Sequence, residues 1–143
     1  MVVVAIAGSF SIVHEGHIDH IQKAYKLGNW LIIITHKDRI IKKYKGIRPV
    51  TLNARIAILK GLISSLGGLG EVIVARDTDG TVTKTLREIK PDIFAKGGDR
   101  NDGNMPQSEI DVCKEIGCEI RYGVGDLLNS STKIWRQRCQ NIK

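Results

Sequence analysis

Short apolar runs alternate with amphipathic stretches along the chain. Val2–Ala7 and Trp30–Thr35 are nearly continuous apolar runs, the pattern of strands buried on both faces. Glu71–Ala75, Asp92–Ala95 and Glu119–Tyr122 repeat that signal more briefly. Between them the spacing predicts helices over Gly16–Leu27, Thr51–Leu66, Thr81–Ile89 and Pro106–Ile116, with a last helix from about Ser131. In Thr51–Leu66, the residues Leu52, Ile56, Leu59, Leu62 and Ile63 fall on one face. Strands alternating with helices predict an α/β fold: a Rossmann-like, doubly wound, parallel five-stranded sheet with helices on both faces. Residues 1–143 are expected to form a single domain of this kind.

Such sheets bind ligands beyond the carboxyl ends of their strands, where the strand order reverses. The loops after the first, fourth and fifth strands are therefore expected to face the site. They carry Gly8–His17, Lys96–Asn104 and Gly123–Thr132, the most unusual segments of the chain.

Composition narrows the class. Hydrophobic residues make up 42% and charged residues 26%, ordinary for a soluble globular protein, and no apolar run nears the length of a membrane span. The N-terminus lacks a secretory-signal layout. Cys113, Cys118 and Cys139 are odd in number and form no metal-type pair, so they are expected to be reduced thiols in a cytoplasmic protein. The net charge of +7 suits either nucleic acid or a small polyanion. Lys37, Arg39, Lys42, Lys43, Lys45 and Arg48 crowd one stretch, yet only Tyr44 interleaves as a stacking platform. That favours nucleotides and phosphorylated metabolites, with neither nucleic acid nor membrane as partner.

The candidate chemistry lies near the start. The first strand runs into Gly8 and Ser9, then into His14-Glu15-Gly16-His17 at a predicted helix start. Amide groups and the dipole at a helix N-terminus attract phosphate, and two imidazoles add donors there. His14, His17 and His20 recur every three residues, but zinc on one helix wants histidines four apart and a third ligand elsewhere. No metal site is assigned, and no Ser-His-Asp or Cys-His set is apparent.

"GSFSIVHEGH" resembles the G-x-F-D-x-x-H-x-G-H signature of the cytidylyltransferase-like nucleotidyltransferases. "KYKGIRPVTLNARIAIL" and "IKPDIFAKGGDR" are similar to two segments of the adenylyltransferase domain in bacterial heptose-phosphate enzymes. "NSSTKI" resembles the S-T-T motif opening the last helix in these enzymes and in glycerol-3-phosphate cytidylyltransferases. The R-T-E-G run of the latter is replaced by "GVGDLLN", which points toward the heptose type.

The resemblance implies transfer of a nucleotidyl group from an NTP, bound with Mg²⁺, to a sugar phosphate resembling a heptose 1-phosphate, with release of pyrophosphate. The acceptor phosphate is already ionised at neutral pH, so the site needs positioning and positive charge rather than a general base. His14 and His17 would act on the α-phosphate and the bridging oxygen. Lys45, in a flexible loop before the second long helix, would neutralise phosphate, with Lys42 as its substitute. Gly8 and Gly16 would allow close approach, Ser9 would lie at the nucleotide, and Phe10 would pack beneath the loop. Ser11 replaces the family aspartate associated with the metal-bound triphosphate, and leaves only a hydroxyl for a phosphate or a metal-bound water. Lys96, Gly97, Gly98 and Asp99 would meet the nucleotide, and Ser130, Ser131 and Thr132 the β- and γ-phosphates. Asp38, Lys42, Arg48 and Arg55 are assigned to the acceptor.

The resemblance further implies a homodimer, and a sugar kinase as a separate protein. It leaves the base open between adenine and cytosine. A glycerol 3-phosphate or other polyol-phosphate cytidylyltransferase, a nucleotide-binding module without turnover and a nucleic-acid-binding protein are the competing readings.

Overall fold

The computed structural model describes residues 1–98 and 100–125. Five parallel strands lie in the order β3-β2-β1-β4-β5. They are β1 (Val3–Ala7), β2 (Trp30–Thr35), β3 (Gly70–Val74), β4 (Ile93–Ala95) and β5 (Glu119–Arg121). The helices are α1 (Glu15–Tyr25), α2 (Asp38–Lys45), α3 (Leu52–Leu66), α4 (Thr83–Ile89) and α5 (Gln107–Ile116). The doubly wound parallel sheet expected from the alternation is therefore present. The expected helix from about Ser131 lies outside the described residues.

β1 is central because both its faces are apolar, and Val4, Ala5 and Ile6 are all buried. Val4 and Ile6 join Leu31, Ile33, Ile21, Ala24, Leu59 and Ile63 on the face covered by α1 and α3. Ala5 joins Ile32, Ile34, Phe94, Leu86, Ile110 and Cys113 on the face covered by α4 and α5. The chain steps outward from β1 through β2 to β3, then returns to place β4 against the other side of β1. The reversal point is thus the β1–β4 edge, and the loop after β1 opens there.

Element ends differ from expectation by one or two residues, since the flanking residues serve as caps. Thr51 is the N-cap of α3, its Oγ1 accepting the Ala54 amide at 3.4 Å. Pro106 caps α5. The substantive correction is α2. The basic stretch expected to be a flexible loop is a helix, and Lys45 is its last residue. Ile40 and Ile41 are its buried residues, and Lys42 and Lys43 are exposed. Among the described residues no helix is long and apolar enough to cross a membrane.

Candidate active site

The loop after β1 is fixed before it reaches the histidines. The Gly8 amide donates to the Ile34 carbonyl at 3.0 Å, continuing the β1–β2 pairing. Phe10 is buried in the left-handed region, with φ of +49°. A bulky residue there is strained and persists only where its surroundings hold it. Its ring sits over Gly8, where an added Cβ would lie 3.2 Å from two ring carbons. It also tilts against His17, with centroids 4.9 Å apart. Phe10 therefore packs beneath the loop as expected, and Gly8 is needed for the ring at least as much as for a ligand. Gly8→Ala is expected to cost about 1–3 kcal/mol by overpacking, read as a lowered urea midpoint.

His14 and His17 cap α1 jointly. The Gly16 amide donates to His14 Nδ1 at 3.1 Å, and the His14 amide donates to His17 Nδ1 at 3.3 Å. The two rings stack with centroids 3.8 Å apart. Each Nδ1 accepts a main-chain N–H, so each neutral ring carries its proton on Nε2. Gly16 spends its amide on this cap, so what it offers a ligand is close approach alone.

Burial pushes the His17 ring down to about 3, aided by the charges of His14, His20 and Lys45; the Ile12 carbonyl works the other way. His14, His20 and His36 are lowered too, with burial the largest cause. Below the ordinary value of 6.5 the unfolded chain takes up protons that these folded rings refuse. Stability is therefore expected to hold above pH 6.5 and to fall from there toward about pH 3. His17 alone contributes a loss of about 2 kcal/mol by pH 5. Urea unfolding at pH 7.5 and pH 5 measures this, and equal stabilities would contradict the burial of neutral rings.

Lys45 reaches back from the end of α2. Its Nζ donates to Ser9 Oγ at 2.9 Å. The stem is exposed, but the ammonium is sheltered, and burial lowers its pKa with the charge of Arg100 acting the same way. Its charge is felt at both His17 and His36. Beside it opens a cavity of about 150 Å³, walled by the end of β1, His36 after β2, α2, Gly80, Val82, and the start of α5. Lys45, Lys96, Arg100, Tyr44 and Glu109 also line it. Lys96 lies with its Nζ 4.7 Å from the Phe94 ring centre. Gly97 has open space around it and Gly98 is exposed, so the turn after β4 is accessible.

The four acceptor residues expected from sequence do not line this cavity. Arg55 is the plain correction: it is fully buried. Its Nε donates to the Val50 carbonyl at 2.8 Å. Its Nη1 reaches the Ser9 carbonyl at 3.1 Å, Thr35 Oγ1 at 2.7 Å and the His36 carbonyl at 2.8 Å. Its Nη2 pairs with Asp38. The guanidinium is thus a clamp joining four segments, out of reach of a ligand, and it also claims Asp38. Lys42 and Arg48 are exposed on α2 and on the link after it. Ser11 is buried, its carbonyl accepting the Val50 amide at 3.1 Å.

His20 bonds the Val124 carbonyl through Nδ1. The Val124 amide in turn donates to the Lys96 carbonyl at 2.9 Å, coupling the loops after β4 and β5. At Gly125 a Cβ would lie 3.0 Å from His20 Cα, so this loop presses directly on α1. Asp99, Ser130, Ser131 and Thr132 lie outside the described residues. His36 and Glu109 line the cavity although the sequence did not single them out.

The cytidylyltransferase-like family model matches residues 5–137. The bifunctional protein HldE of Haemophilus ducreyi is 39% identical over 116 residues, 80% of this chain and 22% of that protein. HldE of Pseudomonas fluorescens is 34% identical over 127 residues, 87% of this chain and 25% of that one. The chain thus spans about a quarter or less of these relatives. A lipopolysaccharide core biosynthesis protein from Thermoplasma volcanium superposes with a TM-score of 0.64 at 28% identity, covering 86% of this chain and 94% of that one. A bifunctional NMN adenylyltransferase/ADP ribose pyrophosphatase from Francisella tularensis shares the fold, with a TM-score of 0.66 at 16% identity over 98% of this chain and 42% of that one. The chain belongs to the cytidylyltransferase-like family.

Proposed function

We propose that the chain transfers a nucleotidyl group from an NTP to the phosphate of a sugar phosphate, of the heptose 1-phosphate kind, releasing pyrophosphate. The observation that carries this reading is the histidine pair that caps α1 after the central strand, with Lys45 braced on Ser9 of the intervening loop and lining a basic-walled cavity. The acceptor phosphate attacks the α-phosphorus, a new P–O bond forms, and the bond to the bridging oxygen breaks with pyrophosphate leaving. The nucleophile is already anionic, so no proton need be removed. As charge builds on the α-phosphate oxygens and the leaving group, the Nε2–H groups of His14 and His17 donate to them. Neutral donors fixed beforehand do this without reorganisation. The Lys45 ammonium, braced on Ser9, draws the acceptor phosphate toward the histidines.

Mg²⁺ enters as part of the Mg–NTP substrate. Among the described residues no three His, Cys, Asp or Glu side chains converge on a metal position, and Ser11 is buried. Substrate phosphates and water oxygens would supply most of the ion's ligands, as magnesium commonly accepts. A homodimer working in the cytoplasm completes the reading. The HldE names carried by relatives across most of this chain favour the sugar-phosphate acceptor.

The test is pyrophosphate release with each NTP in turn and a panel of phosphates. Release is expected only when NTP and a sugar phosphate are both present. Tight NTP binding with no release for any acceptor would reject turnover. Lys45→Ala is expected to lower kcat/KM for the acceptor about a hundredfold, with the NTP KM little changed. An acceptor kcat/KM within threefold of the parent would place the lysine outside the reaction.

A further inference from the structure

The cavity beside Lys45 holds two polar side chains that nucleotidyl transfer does not itself require. His36 follows β2 and is 8% exposed, and its Nδ1 has no hydrogen-bond partner although the ring lines the cavity. A buried ring nitrogen left unpaired is costly and uncommon. Arg55 Nη1 holds the His36 carbonyl at 2.8 Å, which fixes the backbone that carries the ring. Glu109, on the first turn of α5, is 5% exposed and also lines the cavity. Its Oε2 accepts the Val82 amide at 3.0 Å, which fixes the carboxylate in place, and Oε1 takes no part in that bond. Burial raises the pKa of this carboxyl, while Lys96 and Arg100 oppose the rise.

The wall chemistry restricts the occupant. Ile40, Ile41, Val82 and the Tyr44 ring would accept an alkyl chain, but such a chain would leave His36 and Glu109 unsatisfied. A bare anion would be repelled by Glu109. A neutral body bearing hydroxyls suits both: the carboxylate accepts an O–H, and the His36 ring edge on the cavity wall bonds a second hydroxyl. The space, about 150 Å³, exceeds what a phosphate alone fills. Lys45, Lys96 and Arg100 on the same walls supply the positive charge that a phosphate attached to that body requires.

We infer that His36 and Glu109 select the acceptor, hydrogen-bonding hydroxyl groups of a polyhydroxylated phosphate ester seated in this cavity. The inference rests on the transfer reading above and goes beyond it by naming the residues that choose the acceptor. It makes them specificity residues, so their loss acts on KM for the acceptor more than on kcat. A site built to bond hydroxyls rejects an analogue lacking them, because its own buried groups are then left unpaired.

The experiment compares a heptose 1-phosphate and glycerol 3-phosphate with propyl phosphate, which has the charge but no hydroxyl. It uses the full chain, by calorimetric binding without NTP and by pyrophosphate release with it. The parent protein is expected to favour the hydroxylated esters about a hundredfold or more in both readouts. Glu109→Gln keeps an acceptor for the Val82 amide, and His36→Phe fills the same space. Each is expected to raise KM for the hydroxylated acceptors about tenfold or more and to move the preference toward parity. KM for NTP and the thermal midpoint should stay unchanged. If His36→Phe does not fold, Glu109→Gln alone decides.

Equal use or equal binding of propyl phosphate by the parent protein would overturn the selection while leaving transfer intact. So would folded variants with unchanged acceptor KM. Selective binding that both variants abolish, with no pyrophosphate released, would support the pair and reject transfer instead.

Discussion

Replacing His17 with alanine is expected to cut turnover by about two to three orders of magnitude, the usual effect of deleting one preorganised transition-state donor. His17 is held near neutrality by burial, with its pKa pushed down to about 3, so it acts as a neutral N–H donor. Its Nδ1 is occupied by the His14 amide, so the ring carries its proton on Nε2, which would donate to the reacting phosphate in place of the Ile12 carbonyl. The same bond makes the residue part of the α1 cap, so the alanine variant should also lose about 1 kcal/mol of stability. His17→Gln separates the two roles, because glutamine at that helix position can still accept the His14 amide. The glutamine variant should recover stability without recovering most of the rate. Steady-state kinetics with denaturant unfolding on both variants measures this. A folded alanine variant within tenfold of the parent rate would remove His17 from the chemistry. Since the ring stays neutral across the physiological range, its titration should produce no fall in rate between pH 6.5 and 8.

The second large effect is on stability. Arg55→Met is expected to destabilise the fold by roughly 3–5 kcal/mol, because it strips partners from several buried acceptors at once. The guanidinium joins the loop after β1 through Ser9, the end of β2 through Thr35 and His36, the start of α2 through Asp38, and the link to α3 through Val50. Lysine cannot reproduce this fork, so Arg55→Lys should recover little of the loss. Ser9 also braces Lys45, and residual activity should therefore fall more than the folded fraction does. Guanidinium unfolding monitored by circular dichroism gives the number. A loss below about 1 kcal/mol would mean that water substitutes freely for the guanidinium.

The sheet and most helices were legible in the sequence because each carries its own period: the apolar runs of β1 and β2, and the Leu59–Ile63 stripe of α3. α2 was not, since it buries little beyond Ile40 and Ile41 and is otherwise charged. Its local signals were Asp38 at the first position, lysines in the last turn and Gly46 as a left-handed cap, enough to mark a short helix. Arg55 misled for a different reason. It stands at the head of the buried stripe of α3, where only its partners in other segments decide between a clamp and a ligand contact. His36 and Glu109 belong to no local motif. The sheet order alone brings the end of β2 and the start of α5 to one cavity. The histidine pair was legible because its whole geometry is local: a strand end, a turn and one helix cap.

The most direct measurement follows the α-phosphorus itself. The protein is incubated with NTP carrying ³²P at the α-position and with a heptose 1-phosphate. The account predicts label in a sugar nucleotide resistant to alkaline phosphatase, formed in equal amount with pyrophosphate and abolished in His17→Ala. Label that stays in the NTP, or appears only as free nucleoside monophosphate, would contradict transfer to a phosphate acceptor.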